Sequence, residues 1–149
     1  MKAFPRIAIL FVGLSVLALV TYLMLPPSES GQRAVQQLKS VRIFSLGPVG
    51  PSGSIPESVD QFFAILDSRH SSRLFRELYE HGTAEAKVYA LCGLWLTRGG
   101  FDSYAGRFPH EVEKVSTFSS CFRNECAPSE IVNAIREGAL DHQLMLFPR

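Results

Sequence analysis

Residues 71–100 read SSRLFRELYEHGTAEAKVYALCGLWLTRGG, and this stretch predicts two consecutive helices joined at Gly82 and Thr83. In the second helix, expected from Ala84 to about Arg98, almost every position from Val88 to Leu96 is apolar. A helix that is apolar on all sides is normally enclosed by other elements. We therefore expect this helix to lie at the centre of the fold.

The first helix of the pair is predicted to begin at Ser71 or Ser72, and its apolar residues from Leu74 to Tyr79 follow helical spacing. Gly82 is expected to end it as a left-handed cap residue, and Thr83 is expected to cap the next helix. One helical hairpin does not make a repeat protein, because such folds need about three units to bury a core.

Apolar spacing and turn residues predict the remaining elements. Further helices are expected at about 56–67, where Ser54 and Glu57 fit a capping box, and at 101–108 before Pro109. A last helix is expected to start at Pro128 or Ser129 and to stop at Gly138. Strands are expected at 40–46 and 115–122, and the apolar tail 140–147 is a candidate third strand. The fold class is therefore α-rich α+β: a small domain of about four to five helices with a minor two- or three-stranded sheet, behind an N-terminal transmembrane helix.

The N-terminal run from Ile7 to Leu25 contains no charged residue. As a helix it would be about 28 Å long, close to the roughly 30 Å hydrocarbon core of a bilayer. Cleaved signal peptides usually have a shorter apolar stretch and a small-x-small cleavage site, whereas this run ends in bulky residues. The pattern favours an uncleaved signal anchor, with a cleaved signal as the alternative.

The anchor divides the chain into residues 1–25 in the membrane, a linker at 26–39 and a globular domain at 40–149. Lys2 and Arg6 precede the apolar run, which favours a cytoplasmic N-terminus and an exported domain in a single-pass membrane protein. The alternative is a secreted or periplasmic protein, released after signal cleavage.

Composition excludes several classes of protein. The chain of 149 residues is 46% apolar and 19% charged, with a formal net charge of +1. Disordered chains have low apolar content and a large net charge, and nucleic-acid-binding proteins usually carry a basic excess. We therefore expect a folded domain and no nucleic-acid partner.

Three cysteines, Cys92, Cys121 and Cys126, would meet an oxidising compartment if the domain is exported. One disulfide is expected, because three cysteines can form one disulfide and leave one free thiol. Cys121–Cys126 is favoured, since four residues between them can form a tight turn. Cys92–Cys121 is the alternative, with Cys92 otherwise a small buried side chain.

The residues GPVGPSGS at 47–54 form a loop between the first predicted strand and the helix at 56–67. Gly47, Gly50, Ser52 and Gly53 are the candidate site residues here, because backbone amides before a helix can hold an anion. The stretch matches neither a phosphate-binding loop nor Gly-x-Ser-x-Gly. An unusual connector is the favoured interpretation.

No other pattern predicts catalysis or metal binding. The sequence contains no His-x-x-x-His and no Cys-x-x-Cys, and His70, His81, His110 and His142 lie in polar loops or at helix ends. We expect no cofactor and no metal.

The sequence thus favours a membrane-anchored extracytoplasmic binding or scaffold module without catalytic activity. Its partners would be membrane lipid, through the N-terminal helix, and another envelope protein. The alternative is an exported hydrolase-like enzyme whose residues are assembled only by the fold. That alternative predicts His70 or His110 within hydrogen-bond reach of Ser52, Cys121 or a carboxylate.

Overall fold

The computed structural model of the protein describes residues 28–49, 52–119 and 122–139. Within them lie six helices and one two-stranded antiparallel sheet: α1 (Glu29–Leu38), α2 (Glu57–Leu66), α3 (Ser71–His81), α4 (Ala84–Leu96), α5 (Phe101–Glu111), β1 (Val115–Ser119), β2 (Phe122–Cys126) and α6 (Pro128–Arg136). The predicted helix-rich α+β fold is confirmed. The predicted anchor at 1–25 and the tail at 140–147 lie outside the described residues, and none of the described helices has the length and apolar character needed to cross a membrane.

Helix α4 is the central element, as predicted. The Thr83 hydroxyl accepts a hydrogen bond from the backbone N–H of Ala86 at 3.2 Å and so caps its first turn. Ala86 and all residues from Val88 to Leu94 are buried. The surrounding helices thus enclose α4 because no side of it could face water without exposing apolar surface.

Helix α1 occupies most of the stretch that we expected to be a linker. The Ser28 hydroxyl accepts from the N–H of Gly31 and caps the helix. Ala34, Val35 and Leu38 are each at most 1% exposed, so one face of residues 29–38 packs in the core. The apolar stripe is narrow and lies among three glutamines and one arginine, which explains why the sequence predicted a linker here.

Gly82 joins α3 and α4 as expected but in a different conformation. Its φ is −95° and its ψ is 168°, so the backbone is extended and not left-handed. A Cβ at this position would lie 2.6 Å from both the Leu78 carbonyl oxygen and the Ala86 Cβ. Glycine is needed here because two helix ends meet closely, not because of an unusual dihedral angle.

Two helix boundaries also differ from the prediction. Pro56 is the N-cap of α2 without a side-chain cap, and Ser54 instead pairs through its backbone, its carbonyl accepting from the Val49 N–H at 2.9 Å. The predicted capping box is therefore wrong. Helix α5 continues through Pro109 to Glu111, because a proline in the exposed last turn removes one hydrogen bond without displacing the chain from the core.

The strand predicted at 40–46 is reduced to one parallel bridge between Phe44 and Thr117. Phe44 donates to the Ser116 carbonyl, and Phe118 donates to the Phe44 carbonyl, both at 2.8 Å. The β-leaning run at 115–122 becomes β1 and the start of β2, which pair in the register Val115 to Cys126. The sheet thus has two full strands and the backbone of Phe44 at the edge of β1.

Candidate functional site

A groove lies between residues 41–45, the start of α2 and strand β1. Its main cavity has a volume of about 460 Å³. Five apolar side chains line it: Val41, Ile43, Val49, Pro56 and Phe118. A second hollow of about 370 Å³ shares Val41, Glu57 and Ser58 with it and continues toward Gln37 and Gln61. We call these two connected hollows the Phe118 groove.

The wall of the Phe118 groove is held by the phenol of Tyr89. The Tyr89 hydroxyl donates to the Ser45 carbonyl at 2.6 Å and accepts from the Ser45 N–H at 3.1 Å. It also forms a hydrogen bond with the Ser58 hydroxyl at 2.9 Å. Burial raises the pKa of Tyr89, so the phenol stays protonated and keeps its donor. One side chain of α4 therefore ties the 41–45 segment to α2.

The neighbouring contacts fix the same segment from its other side. The ring of Phe44 packs edge-on against Tyr89, with ring centroids 4.7 Å apart. Its backbone pairs with β1, and this places Phe118 at the groove. The backbone of Phe44 is hydrogen-bonded to β1, and the backbone of Ser45 is hydrogen-bonded to Tyr89. Because these bonds hold the segment in place, the groove is preformed.

The rim of the groove combines charge with exposed apolar surface. Arg42 and Glu57 line the cavity and are exposed, one of each sign. Ile55, next to Pro56, is 48% exposed and is one of two large hydrophobic residues with high exposure in the described part. This arrangement suits an apolar segment with polar flanks, because apolar walls hold the side chains and the rim groups fix orientation.

The predicted loop at 47–54, which we call the glycine–proline loop, lines the groove through Val49. The Ser45 hydroxyl donates to the Gly47 carbonyl at 3.1 Å and accepts from the Gly47 N–H at 3.4 Å. Gly53 has a φ of +62°, which favours glycine. Gly50 lies outside the described residues, so an anion site in this loop stays a prediction.

The enzyme interpretation needs a base beside Ser52. The Ser52 hydroxyl forms a hydrogen bond with the Ser54 hydroxyl at 2.7 Å, on the exposed loop before α2. His70 follows the far end of α2, and a helix of this length spans about 15 Å. The imidazole of His110 is exposed and makes no hydrogen bond with any described residue. The structure thus brings neither histidine to Ser52.

The cysteines are only partly described. Cys92 is 2% exposed within α4 and packs in the core. Cys126 ends β2, with its sulfur 3.5 Å from the Thr117 hydroxyl. There is no disulfide between these two residues, and Cys121 lies outside the described part. The pairs Cys121–Cys126 and Cys92–Cys121 therefore stay predictions.

A second cluster of polar groups surrounds Tyr79 on α3. Arg107 forms hydrogen bonds with both carboxylate oxygens of Glu80 at 3.1 and 3.2 Å, and with Glu111 at 2.9 Å. Lys87 binds the other oxygen of Glu111 at 2.6 Å. Burial raises the pKa of Tyr79, and nearby Glu111 raises it further. Every charged group here has a partner of opposite sign, as in a structural ion-pair network.

This network predicts a pH-dependent contribution from Glu111. The hydrogen bond from Lys87, followed by that from Arg107, holds the pKa of Glu111 below its ordinary value. The stabilisation is therefore present above about pH 4.3, the value for an unfolded glutamate, and is lost as the pH falls through the lower folded pKa. We expect Glu111→Gln to lower the free energy of unfolding by roughly 1 kcal/mol at pH 7, and the difference from the native chain to be smaller near pH 3.

Urea unfolding at the two pH values measures this difference. Glu113→Gln is the matched control, because Glu113 is exposed and its carboxylate has no ion pair within 4.0 Å in the described ranges. Equal losses for the two variants at pH 7 would contradict the prediction.

Sequence reasoning missed Ser45, Ser58 and Tyr89. The one available indication was a tyrosine in a helix that is otherwise almost wholly apolar, since a buried phenol normally has a hydrogen-bond partner. No group of three or more potential metal ligands lies close together among residues 28–49, 52–119 and 122–139. No protein-family model, no curated protein and no solved structure matches the chain.

Proposed function

We propose that this protein is a membrane-anchored extracytoplasmic binding module that holds an apolar segment of another envelope protein in the Phe118 groove. The single observation that carries the proposal is the groove itself, with its five apolar side chains and its wall held by Tyr89. The anchor rests on the uncharged run from Ile7 to Leu25.

The chemistry of the groove supports binding more than catalysis. Ser45 and Ser58 already share the Tyr89 hydroxyl, so their contacts serve the fold. The exported hydrolase has less support, because Ser52 is exposed and its hydroxyl is paired with another serine. Apolar side chains of a partner would replace water along Val41, Ile43 and Val49 and add roughly 25 cal/mol per Å² of apolar surface buried.

Site-specific photocrosslinking in native membranes tests the proposal. A benzophenone amino acid replaces Val49 in the full-length protein, because Val49 lines the groove from a loop and not from the core. We expect one adduct with a single envelope protein, and a loss of about tenfold or more in that adduct when Ile43→Asp is added.

The matched control carries the same benzophenone at Ser103, an exposed position on α5. It should give no corresponding adduct. The same yield of the same adduct from both positions would contradict binding in the groove. Thermal unfolding of the Ile43→Asp protein verifies that loss of the adduct is not loss of the fold.

A further inference from the structure

The helices run back and forth between two ends of the domain, and the chain enters at one of them. A Cβ at Gly31, in the first turn of α1, would lie 2.8 Å from the Ser68 Cβ. A Cβ at Gly99, after α4, would lie 3.0 Å from the Ser72 Cβ. The start of α1, the turn at 68–72 and the end of α4 are therefore neighbours. We call this end, with Arg69, Trp95, Leu96 and Arg98 on it, the proximal face.

The length of chain before α1 restricts where the proximal face can be. Only Pro26 and Pro27 separate Leu25 from the capping residue Ser28. Three residue steps reach at most about 11 Å even when fully extended. If Ile7–Leu25 spans the bilayer, the proximal face must lie at the membrane surface.

The apolar surface of the proximal face suits that position. A cleft of about 580 Å³ is lined by Leu94, Trp95, Leu96 and Phe101. Leu96 is 38% exposed, and Trp95 is half-buried with its ring 5.1 Å from that of Phe101. Tryptophan favours the headgroup region of a bilayer because it combines a large apolar ring with an N–H donor.

Exposed arginines lie at the same end of the domain as the cleft. Arg69, Arg73 and Arg98 are exposed at this end. Asp102, which lines the cleft, is paired with Arg136 at 3.4 Å, so its charge is already compensated. Arginine side chains beside an apolar patch can extend to headgroups while their stems cover apolar surface.

We infer that the proximal face is a phospholipid-binding surface that rests on the bilayer, with Trp95 and Leu96 at headgroup depth. The inference depends on the proposed anchor. It also orients the site, because the Phe118 groove adjoins the other end of α2, about 15 Å farther from the membrane. The groove would then face away from the lipid and toward a partner in the envelope.

Fluorescence of Trp95 tests this directly, since it is the only tryptophan of the chain. The full-length protein is reconstituted in vesicles of phosphatidylcholine and phosphatidylglycerol, with or without bromine atoms high on the acyl chains. We expect brominated lipid to lower the Trp95 emission by on the order of one half. Leu96→Asp should reduce that quenching at least about twofold, because a carboxylate is disfavoured at this depth.

Asn124→Asp is the matched control, since it adds the same charge to the exposed β-hairpin. Brominated lipid should quench the Trp95 emission of this variant as much as that of the native chain. Vesicle flotation distinguishes failure of the membrane anchor from failure of the lipid-facing surface. Protein that floats without quenching overturns the lipid-facing surface while the anchor stands, and protein that does not float overturns the anchor. Quenching that appears only after removal of residues 140–149 overturns the inference as well, because that segment would then cover the cleft.

Discussion

Replacing Gly93 with alanine is expected to destabilise the domain by about 2 kcal/mol. A Cβ at this position would lie 2.3 Å from two ring carbons of Phe75. The Phe75 ring is fully buried and packs against Phe62 at 5.5 Å, so it cannot move aside without disturbing the core. The overlap should outweigh the gain of roughly 1 kcal/mol that alanine normally brings to a helix interior.

Gly106→Ala is the matched control. It makes the same substitution inside α5, at an exposed position where a Cβ would meet nothing within 4 Å. We expect it to stabilise the protein by up to about 1 kcal/mol. Urea unfolding of the full-length protein in detergent, followed by Trp95 fluorescence, measures both changes. If both variants shift the urea midpoint in the same direction, the expected overlap between a Cβ at position 93 and the Phe75 ring would be contradicted.

Replacing Tyr89 with phenylalanine is expected to cost about 1–3 kcal/mol of stability. The change removes one oxygen but leaves the N–H and the carbonyl of Ser45 without their partner. Ser45 is only 6% exposed, so water cannot easily replace the lost hydrogen bonds. The 41–45 segment should also loosen, and the Val49 crosslink should weaken with it.

Tyr104→Phe is the appropriate control for this variant. Tyr104 is half-buried, and its hydroxyl makes no hydrogen bond with a described residue, while its carbonyl accepts from the Tyr79 hydroxyl. Loss of the Tyr104 hydroxyl should change the free energy of unfolding by no more than about 0.5 kcal/mol. Equal effects at positions 89 and 104 would mean that the phenol of Tyr89 does not hold the groove wall.

The helices were predictable where apolar spacing was strong. Central α4, its cap at Thr83 and the start of α6 at Pro128 follow from local residues alone. Helix α1 was underestimated because Ala34, Val35 and Leu38 become informative only once a neighbouring surface is known. The predicted loop at 47–54 contributes Val49 to the lining of the Phe118 groove, whereas the candidate residues Gly47, Ser52 and Gly53 are not part of that lining.

Most of the helices and strands could be predicted from neighbouring residues, because periodicity and capping act over a few positions. Contacts between distant side chains depend instead on how the helices pack. The Tyr89 hydroxyl binds Ser45 across 44 positions of the chain and Ser58 across 31 positions. The predicted strand at 40–46 became a single bridge at Phe44, since the next residue pairs with that phenol instead of a strand. Such pairings depend on how α4 packs against its neighbours, and no local pattern encodes that packing.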